Sequence, residues 1–425
     1  MRSFMATHDL IAVSANLRET AINTEKALDT TMLCALGDII NMEHRRESNE
    51  SEATGKEEPD TIYDLGALVN ASFNFEKAQP QHFAFLLAFA LGACTSAAAG
   101  AGKLHTILPI AGDLDDHRSL PSFTAAQRYG NTVLRRQFAS MFVDSITASF
   151  AKDAWCKITG TIKGTGKVTT NVVEEVVAAA GNVTTLTLAS LAVQGADAPT
   201  RLQNVQRIRA ELATGVWTEV VYTAVTAGPP SAITIVAPGA TADVVNYRIL
   251  YIPTESGWMT FPARVVETPL RVSEMTLKVG GAWSGSAFAG GRELQAEVKS
   301  VDWAFNNNGN VEFVPGGGGA YASRYIRGGR TQKITLNREF REFILQQHLV
   351  ANDTLGLYIL AEGAIYDTPH KYQVEIIFPK VAVLAAPISV DGKRLGEAGD
   401  LQVLEDDTYG SVIVKTKNLQ ATYAA

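Results

Sequence analysis

The sequence predicts a mainly β protein with a few short helices, arranged as two tandem β-sandwich or barrel domains and a small β-sandwich-like insert. Three observations lead to this fold class. Short alternating strands dominate the chain, one strand–helix pattern occurs twice, and a central stretch has strands separated by Gly- and Pro-rich turns. The 425 residues are enough for two or three domains, and a hydrophobic content of 46% is enough to build their cores.

The first strand–helix pattern lies between residues 67 and 92. The stretch ALVNASFNF at 67–75 alternates, with apolar residues on one face and Asn70, Ser72 and Asn74 on the other, which is the period of a half-buried strand. The following QHFAFLLAFAL predicts a helix, because Pro80 suits a first helical turn and Gly92 suits a helix end.

The second pattern begins at residue 330. The stretch RTQKITLNR sets Ile334 and Leu336 against Lys333, Thr335 and Asn337, and therefore predicts another half-buried strand. The following EFREFILQQHLV predicts a second helix with an apolar face made of Phe340, Phe343, Ile344 and Leu349.

Both patterns occur in the same context. Each follows a glycine, a long polar loop and an apolar strand, which is TTMLCALGDII in the first case and SVDWAF in the second. Each precedes a strand with an internal proline, Pro109 or Pro379. We infer a tandem duplication of one β-rich unit. The alternative is that two unrelated segments share an order of elements by chance.

This organisation predicts a first domain over residues 1–182, with an N-terminal arm, and an equivalent domain over residues 266–425. Between them, residues 183–265 contain VTTLTLASL, WTEVVYTAV, SAITIVA and NYRILYI, separated by turn-rich segments. Such spacing predicts an inserted β-rich domain. We expect the insert on the outside, since a domain placed between two copies of one unit must project away from their contact surfaces.

Two long polar loops, residues 42–60 and 306–329, interrupt the predicted strands. Loops of this length in a compact domain are either disordered or functional. Both would be disordered in an isolated monomer. In a polymer they would reach a neighbouring subunit, and the candidate contact residues are Glu43, Arg45, Arg46, Glu47, Glu57, Glu58, Asn307, Asn308, Phe313, Tyr321 and Arg324.

Composition and charge exclude several classes of protein. A net charge of −7 argues against a protein that grips nucleic acid through its phosphates. Cys34, Cys94 and Cys156 are odd in number and widely spaced, which favours buried reduced thiols over disulfides or a zinc site. Nowhere is there an apolar run long enough for a signal peptide or a membrane span, so we expect a protein made in a reducing cytoplasm.

The sequence contains no motif for catalysis or for a cofactor. Asp113, Asp115, Asp116 and His117 are the densest acidic cluster, but they lack the spacing of a calcium loop, and a solvated turn is favoured. The seven histidines have no paired metal-ligand spacing, and no GxSxG elbow is present. We therefore predict no enzyme, metal or cofactor, although paired glycosidase carboxylates would leave no short motif.

Several phrases of the sequence together resemble the tail tube, or major tail, proteins of long-tailed bacteriophages. They are GALVNASFNFEKAQPQHFAFLLAFALG, HTILP, SLPSFTAAQRYG and FVDSITASF in the first half, and LRVSEMTLKVGGAW, SVDWAFNNN and EFREFILQQH in the second. The resemblance covers residues 61–150 and 266–425 and concerns the pattern and order of elements, since none of these phrases is a strict motif.

The resemblance implies a structural protein of the virion that self-assembles into stacked rings around a channel for DNA. About six tube domains form a ring in that family, so a duplicated chain favours a trimer with pseudo-sixfold symmetry, and a hexamer of chains is the alternative. The loops and N-terminal arm would connect rings, and other tail proteins would be partners. The candidates for a weakly negative lumen, past which DNA slides without specific binding, are Asn70, Ser72, Asn74, Lys333, Thr335 and Asn337.

Two other functions stay open. The chain could be another tail component, such as a distal tail protein or the tube subunit of a contractile tail, and copy number in the virion separates these from a tail tube. It could also be a β protein that binds or cleaves carbohydrate, which would require a monomer with a cleft of clustered aromatic and carboxylate side chains.

Overall fold

The computed structural model describes residues 8–110, 120–129, 134–178, 182–189, 191–237, 244–254, 260–294, 297–317, 319–391 and 393–425. Strands account for 55% of the chain and helices for 8%, which confirms the predicted mainly β class. The chain forms two compact units. Unit 1 contains Met1–Leu10, Ala126–Gln137 and Val168–Phe261, and unit 2 contains Ile11–Ala125, Phe138–Lys167 and Pro262–Ala425.

The strands up to residue 178 are β1 (His8–Val13), β2 (Thr30–Met32), β3 (Asn41–Ser48), β4 (Ile62–Phe75), β5 (Gly92–Ala99), β6 (Gly102–Pro109), β7 (Phe123–Tyr129), β8 (Leu134–Ala151), β9 (Lys157–Gly164), β10 (Val168–Thr170) and β11 (Val173–Ala178). The next are β12 (Thr185–Thr187), β13 (Val205–Leu212), β14 (Trp217–Glu219), β15 (Tyr222–Val225), β16 (Ala232–Ile235) and β17 (Val244–Tyr251).

The remaining strands are β18 (Met275–Trp283), β19 (Phe288–Ala289), β20 (Arg292–Glu293), β21 (Val298–Asn306), β22 (Asn310–Glu312), β23 (Arg324–Ile326), β24 (Thr331–Glu339), β25 (Thr354–Asp367), β26 (His370–Ala385), β27 (Ile388–Asp391), β28 (Arg394–Val403) and β29 (Ile413–Asn418). The helices are α1 (Pro80–Leu91), α2 (Ala198–Asn204) and α3 (Ile344–Ala351).

Unit 2 contains an eight-stranded antiparallel sheet in the order β3–β4–β9–β8–β21–β24–β28–β27, which we call the wall sheet. Its first four strands come from the predicted first half of the chain and its last four from the predicted second half. The two groups join where β8 pairs with β21, so segments of both halves share one continuous sheet.

A second antiparallel sheet of unit 2 has the order β18–β25–β26–β29–β6–β5. Strand β26 is long enough to belong to both sheets, because its last residues also pair with β28. The two sheets meet through the buried ring of Trp303, which packs edge-on against Phe378 with ring centroids 5.2 Å apart.

Helix α1 is the centre of the unit 2 core, and all of its residues are buried. It begins at Pro80 and is followed by Gly92 in the left-handed conformation, as the sequence predicts. A Cβ on Gly92 would collide with Ile110, so this position requires glycine in two ways. Phe83 packs on Phe150 of the wall sheet, with ring centroids 6.1 Å apart.

The predicted second helix is shorter than its apolar pattern indicates. Helix α3 begins only at Ile344, and Phe343 is 70% exposed instead of buried. The Phe340 N–H donates a hydrogen bond to the Leu395 carbonyl, which continues the strand pairing past the end of β24. Sheet hydrogen bonding therefore overrides the local helical pattern at Glu339 and Phe340.

The predicted loop at residues 42–60 is wrong in part, because Asn41–Ser48 forms β3 and pairs with β4 as a hairpin. Both faces of the distal part of this hairpin are exposed, so charged residues occupy the strand without alternation and hide it in the sequence. The second predicted loop contains the two-stranded sheet of β22 and β23.

Unit 1 contains the four-stranded sheet β11–β17–β13–β14 and the three-stranded sheet β12–β16–β15. Leu186, Ile208, Ile233, Tyr247 and Ile249 from these sheets belong to one buried cluster. The longest segment of unit 1 is Val168–Phe261, whereas the sequence predicts an inserted domain over residues 183–265. Helix α2 was not predicted; it begins after Asp197, whose side chain accepts a hydrogen bond from the Thr200 N–H.

Candidate functional site, a polar sheet face between two outer strands

One face of the wall sheet carries all six side chains predicted to face a lumen. The pairing registers form continuous rows across the strands. In one such row Asn74, Thr159, Thr147, Ala304 and Lys333 are successive neighbours. Because side chains alternate between faces, Asn70 and Ser72 on β4 and Thr335 and Asn337 on β24 lie on the same face as this row. The structure therefore brings together candidates that are about 260 residues apart in the sequence.

The only apolar side chains in the four central rows are alanines. These rows run from β4, β9 or β8 to β24 or β28, and all of their residues belong to the described part of the chain. Their members are Ser72, Thr161, Ser145, Asn306 and Thr331; Asn74, Thr159, Thr147, Ala304, Lys333 and Gln402; Lys157, Ser149, Asp302, Thr335 and Asp400; and Ala151, Ser300, Asn337 and Ala398.

Neighbouring side chains on this face satisfy one another. The Lys333 ammonium lies 2.8 Å from the Asp400 carboxylate, and Asn337 donates a 3.0 Å hydrogen bond to the Ser300 hydroxyl. Asp302 accepts a hydrogen bond from Ser149. Lys157 and Lys333 balance Asp302 and Asp400 in formal charge, so the four central rows carry no net formal charge.

The opposite face of the wall sheet is buried. Phe73, Ile146, Trp303, Ile334 and Leu336 alternate with the polar residues and pack into the core. Strong burial on one face fixes the register of the sheet, since a shift by one residue would expose these side chains and bury the polar ones. The core thus determines which residues reach the polar face.

A buried ion cluster lies behind the wall sheet. Arg338 of β24 lies opposite Glu397 of β28, and its guanidinium is 2.7 Å from that carboxylate. Glu297 lies 3.6 Å from the same guanidinium, and all three side chains are buried. Removing one partner would leave an uncompensated buried charge, so this cluster ties β24 to β28.

The two outer strands of the wall sheet each pair on one side only within the described residues. Strand β3 pairs with β4, and β27 pairs with β28. The Ala398 N–H donates to the Pro387 carbonyl, so the proline nitrogen also points towards β28. The amides of Ile388 and Val390 therefore face the free edge, and their side chains are 47% and 73% exposed.

The two predicted contact loops meet each other within one chain. The Arg45 guanidinium lies over the Phe313 ring at 5.4 Å, and the Ala67 N–H donates a 3.0 Å hydrogen bond to the Ala320 carbonyl beside Tyr321. Gly66 has a φ of +103°, and a Cβ there would lie 2.8 Å from the Ala320 oxygen. Three predicted contact residues, Arg45, Phe313 and Tyr321, thus brace the base of the β3–β4 hairpin.

Asn307 is not an exposed loop residue as predicted. It is buried, and its carboxamide donates to the carbonyls of Ala90, at the end of α1, and Val143 of β8. An amide that satisfies two buried carbonyls stabilises the fold of one chain and cannot reach a neighbour. Asn308 is exposed, but its side chain binds the Gly329 carbonyl of the same loop.

The remaining candidates are exposed on the surface of unit 2. Glu43 belongs to the polar face, because its carboxylate accepts a 3.0 Å hydrogen bond from Asn70. The other members of this group, on the β3–β4 hairpin and on β23, are Arg46, Glu47, Glu57, Glu58 and Arg324. Their side chains are exposed and are therefore available for contacts with other molecules.

Two ionisable groups behind the wall sheet have strongly shifted pKa values. Burial lowers the pKa of His82 to about 3, and this imidazole accepts a hydrogen bond from the Gln79 N–H before α1. Burial raises the pKa of Glu267 to about 7, although its oxygens accept hydrogen bonds from the amides of Gln81 and Leu419. Both groups belong to the core and lie away from the polar face.

The described residues contain no cluster of three His, Cys, Asp or Glu side chains placed to hold a metal ion. Asp113, Asp115, Asp116 and His117 lie outside the described residues. The three cysteines are free thiols, with Cys156 buried and Cys34 and Cys94 partly buried. Among the helices in the described part of the chain, none has the length and apolar character that a membrane span requires.

Comparison with known proteins adds no relative: no model of a known protein family matches the chain, and none of the curated proteins matches its sequence.

Proposed function

We propose that this chain is a structural subunit of a phage tail tube, in which copies join edge to edge into rings and the polar face lines a channel for DNA. The observation that carries the proposal is the wall sheet, with one polar face, one buried face and two outer strands that pair on one side only among the described residues. Free edges of this kind pair with other chains unless they are covered. Closing several sheets into one cylinder removes every edge at once.

The strand order of the wall sheet supports a tandem duplication. In each half a hairpin comes first (β3–β4, β21–β24), a helix follows, and a later hairpin (β8–β9, β27–β28) packs its second strand on the first hairpin. The resulting orders, β3–β4–β9–β8 and β21–β24–β28–β27, are the same. Two tube domains in one chain account for this repetition.

The internal β8–β21 junction is a template for contacts between copies. It joins the last strand of the first group to the first strand of the second group in antiparallel fashion. By the same rule, β27 of one copy would pair with β3 of the next. This contact is head-to-tail, and such contacts close into rings when the rotation between copies divides the circle.

Three copies per ring fit the dimensions of a DNA channel. Three wall sheets supply 24 strands, and at about 4.8 Å between strands they enclose a cylinder about 37 Å wide between backbones, or somewhat wider if tilted. One layer of side chains leaves room for a duplex about 20 Å wide. Six copies would double this diameter, so the trimer is favoured.

The neutral polar face explains how DNA could pass without binding. Phosphate binding requires cations that are free to replace counterions. Lys333 is paired with Asp400, and Lys163 lies 2.8 Å from Asp144. Paired charges of both signs present little net field to a passing duplex. The DNA would therefore be a transient, non-specific partner, and other tail proteins would bind the ends of the tube.

Electron microscopy of the purified chain tests this proposal. Concentrated protein should form hollow rings and tubes in negative stain, and class averages should show threefold symmetry. A solution that stays monomeric at every concentration would contradict the proposal. Single rings that never stack would favour a distal tail component instead.

A further inference from the structure

We propose that Ser96 is an activated nucleophile, which accepts the acyl group of reactive carboxylic esters, such as aryl esters, and passes it to water. The observation behind this proposal is a continuous chain of hydrogen bonds from Ser96 through His105 to Asn418. It joins β5, β6 and β29, three neighbouring strands of the second sheet of unit 2. This activity goes beyond the structural role proposed above and departs from the sequence prediction of no enzyme.

The three side chains lie between the surface of unit 2 and its interior. Ser96 is exposed on β5, whereas His105 on β6 and Asn418 on β29 are buried. The Ser96 hydroxyl oxygen lies 2.8 Å from Nδ1 of His105, and Nε2 of the same ring lies 3.0 Å from Oδ1 of Asn418. A hydroxyl within hydrogen-bond reach of a base, with a third group that orients the base, is the arrangement that activates a serine nucleophile.

The surroundings of Asn418 determine which nitrogen of His105 carries the proton. The Gln420 amide nitrogen lies 3.0 Å from Oδ1 of Asn418. Because a backbone N–H can only donate, this atom of the carboxamide is the oxygen and not the nitrogen. The same oxygen faces Nε2 of His105, so Nε2 carries the proton and donates it. Nδ1 therefore keeps its lone pair, and the Ser96 hydroxyl donates to this basic nitrogen.

The protein around His105 holds the ring in place and uncharged. The Tyr423 ring packs edge-on against the imidazole with ring centroids 4.8 Å apart, and the Tyr423 hydroxyl accepts a 2.8 Å hydrogen bond from the Asn418 carboxamide. Burial lowers the pKa of His105, although its hydrogen bond with Asn418 acts in the opposite direction. At neutral pH the imidazole is therefore uncharged, which is the form that accepts a proton from serine.

An ester can approach Ser96 from the outer side of β5. Within the described residues this strand pairs with β6 alone, and Ala98, the next residue on the same face, carries only a methyl group. Ala99 and Gly102 close the hairpin of β5 and β6 around a two-residue turn. Hydrogen-bonded pairs alternate from that point, so Ser96 and His105 form a non-hydrogen-bonded pair. The Ser96 N–H therefore points away from β6, where it can donate to the carbonyl oxygen of the ester.

The reaction has two steps. In the first, the Ser96 oxygen forms a bond to the ester carbonyl carbon, the bond from that carbon to the alcohol oxygen breaks, and the hydroxyl proton moves through Nδ1 of His105 to the departing alcohol. In the second, water attacks the acyl group, and one water proton moves through Nδ1 to the departing Ser96 oxygen. The products are a carboxylic acid and an alcohol, and the serine is restored. Because one N–H stabilises the oxyanion only in part, the reaction favours esters whose alcohol leaves readily.

Hydrolysis of p-nitrophenyl acetate by the purified full chain tests the proposal. Ser96→Ala and His105→Gln should each lower the rate of p-nitrophenol release above the buffer rate by about 100-fold, since a positioned general base contributes at least this much. Thr95→Ala is the matched control, because Thr95 is the neighbouring exposed hydroxyl of β5 and lies on the opposite face. Its rate should equal that of the parent chain. Equal rates in the parent chain and Ser96→Ala would overturn the proposal.

Two further readouts separate a chemical role from a structural one. A fluorophosphonate probe should label Ser96 in the folded parent chain, as mapped by peptide mass spectrometry, and should label neither Ser96→Ala nor the urea-unfolded chain. Asn418 is a positioning residue, so Asn418→Ala should slow labelling and shift the His105 nitrogen NMR signals from the Nε2-protonated form to a mixture of tautomers. Thermal unfolding confirms that each variant folds. Labelling spread over other hydroxyl groups, or no labelling of the folded chain, would contradict the proposal and leave the proposed function unaffected.

Discussion

The internal junction of the wall sheet and its outer edges are the same kind of strand boundary in two different states. At the junction, β8 pairs with β21, and the facing residues Ala148 and Trp303 are fully buried. At the β27 edge, Ile388 is half exposed, and no strand in the described part of the chain pairs with its outward amide. One chain thus pairs both strands at one of these two boundaries, and under the proposed function a second copy would complete the other.

The largest expected effect comes from breaking the internal junction. Trp303→Ala should lower the free energy of unfolding by about 3–5 kcal/mol, because it removes a buried ring that joins the two sheets. Urea unfolding of dilute protein measures this change. A loss below about 1 kcal/mol would show that the β8–β21 junction contributes little to the stability of the fold. The junction would then be no model for a stable contact at the outer edge.

The buried ion cluster behind the wall sheet should give an effect of similar size. Arg338→Met leaves Glu397 buried without its cation and leaves Glu297 with only Arg292, 3.9 Å away, so it should cost about 3–5 kcal/mol. Arg338→Met combined with Glu397→Gln should recover part of the loss, since less charge remains unpaired. Equal losses in the single and double variants would argue that packing of the arginine stem, not charge, accounts for the effect.

The free energy of unfolding should depend on pH through a buried core residue, Glu267, and not through the edges of the wall sheet. The pKa of Glu267 is raised to about 7 in the folded chain, so its contribution to stability is present below about pH 4.5 and is lost as the pH rises through 7. The loss should be about 3 kcal/mol between pH 4.5 and pH 8. Glu267→Gln should remove most of this slope in urea unfolding, and an unchanged slope would contradict the assignment.

A substitution at the outer edge of β27 should change the assembly of copies more than the stability of the monomer. Val390→Pro removes an outward amide and should change monomer stability by no more than about 1 kcal/mol, since proline is tolerated where the N–H faces away from the sheet. Assembly should be abolished. Ser389→Pro is the matched control, because its nitrogen faces β28 and its replacement should cost about 3 kcal/mol. Tubes from Val390→Pro would exclude this edge as the contact.

The smallest effect is expected on the polar face. Lys333→Met breaks an exposed ion pair with Asp400 and should change stability by about 0–1 kcal/mol. Rings should still form, because the face makes no contact between copies. Sedimentation velocity of Lys333→Met beside Val390→Pro measures this contrast. Loss of assembly in Lys333→Met would mean that the polar face is itself an interface.

Local patterns in the sequence predicted the strands that have one buried and one polar face, and the helix with clear end signals. The run at 67–75 and Pro80 with Gly92 gave β4 and α1, because alternation and helix ends leave a direct trace. The six lumen candidates share one face for the same reason. Strand β3 left no such trace, since both faces of its hairpin are exposed, and α3 was overpredicted because the Phe340 pairing is a long-range hydrogen bond.

The pairing of strands could not be predicted from composition or periodicity. The burial of Asn307 depends on the carbonyls of Ala90 and Val143, which are more than 160 positions away. The short β27 follows a proline that would ordinarily argue against a strand, and only its pairing with β28 reveals which edge is free. Positions of edges, unlike positions of strands, are a property of the whole sheet.

Electron cryomicroscopy of the assembled protein, viewed along the tube axis, tests the central claim most directly. The account predicts three chains per ring, a continuous wall of 24 strands, and the face with Asn74 and Lys333 towards the channel. A ring in which β3 and β27 stay unpaired, or in which this polar face points outwards, would contradict it.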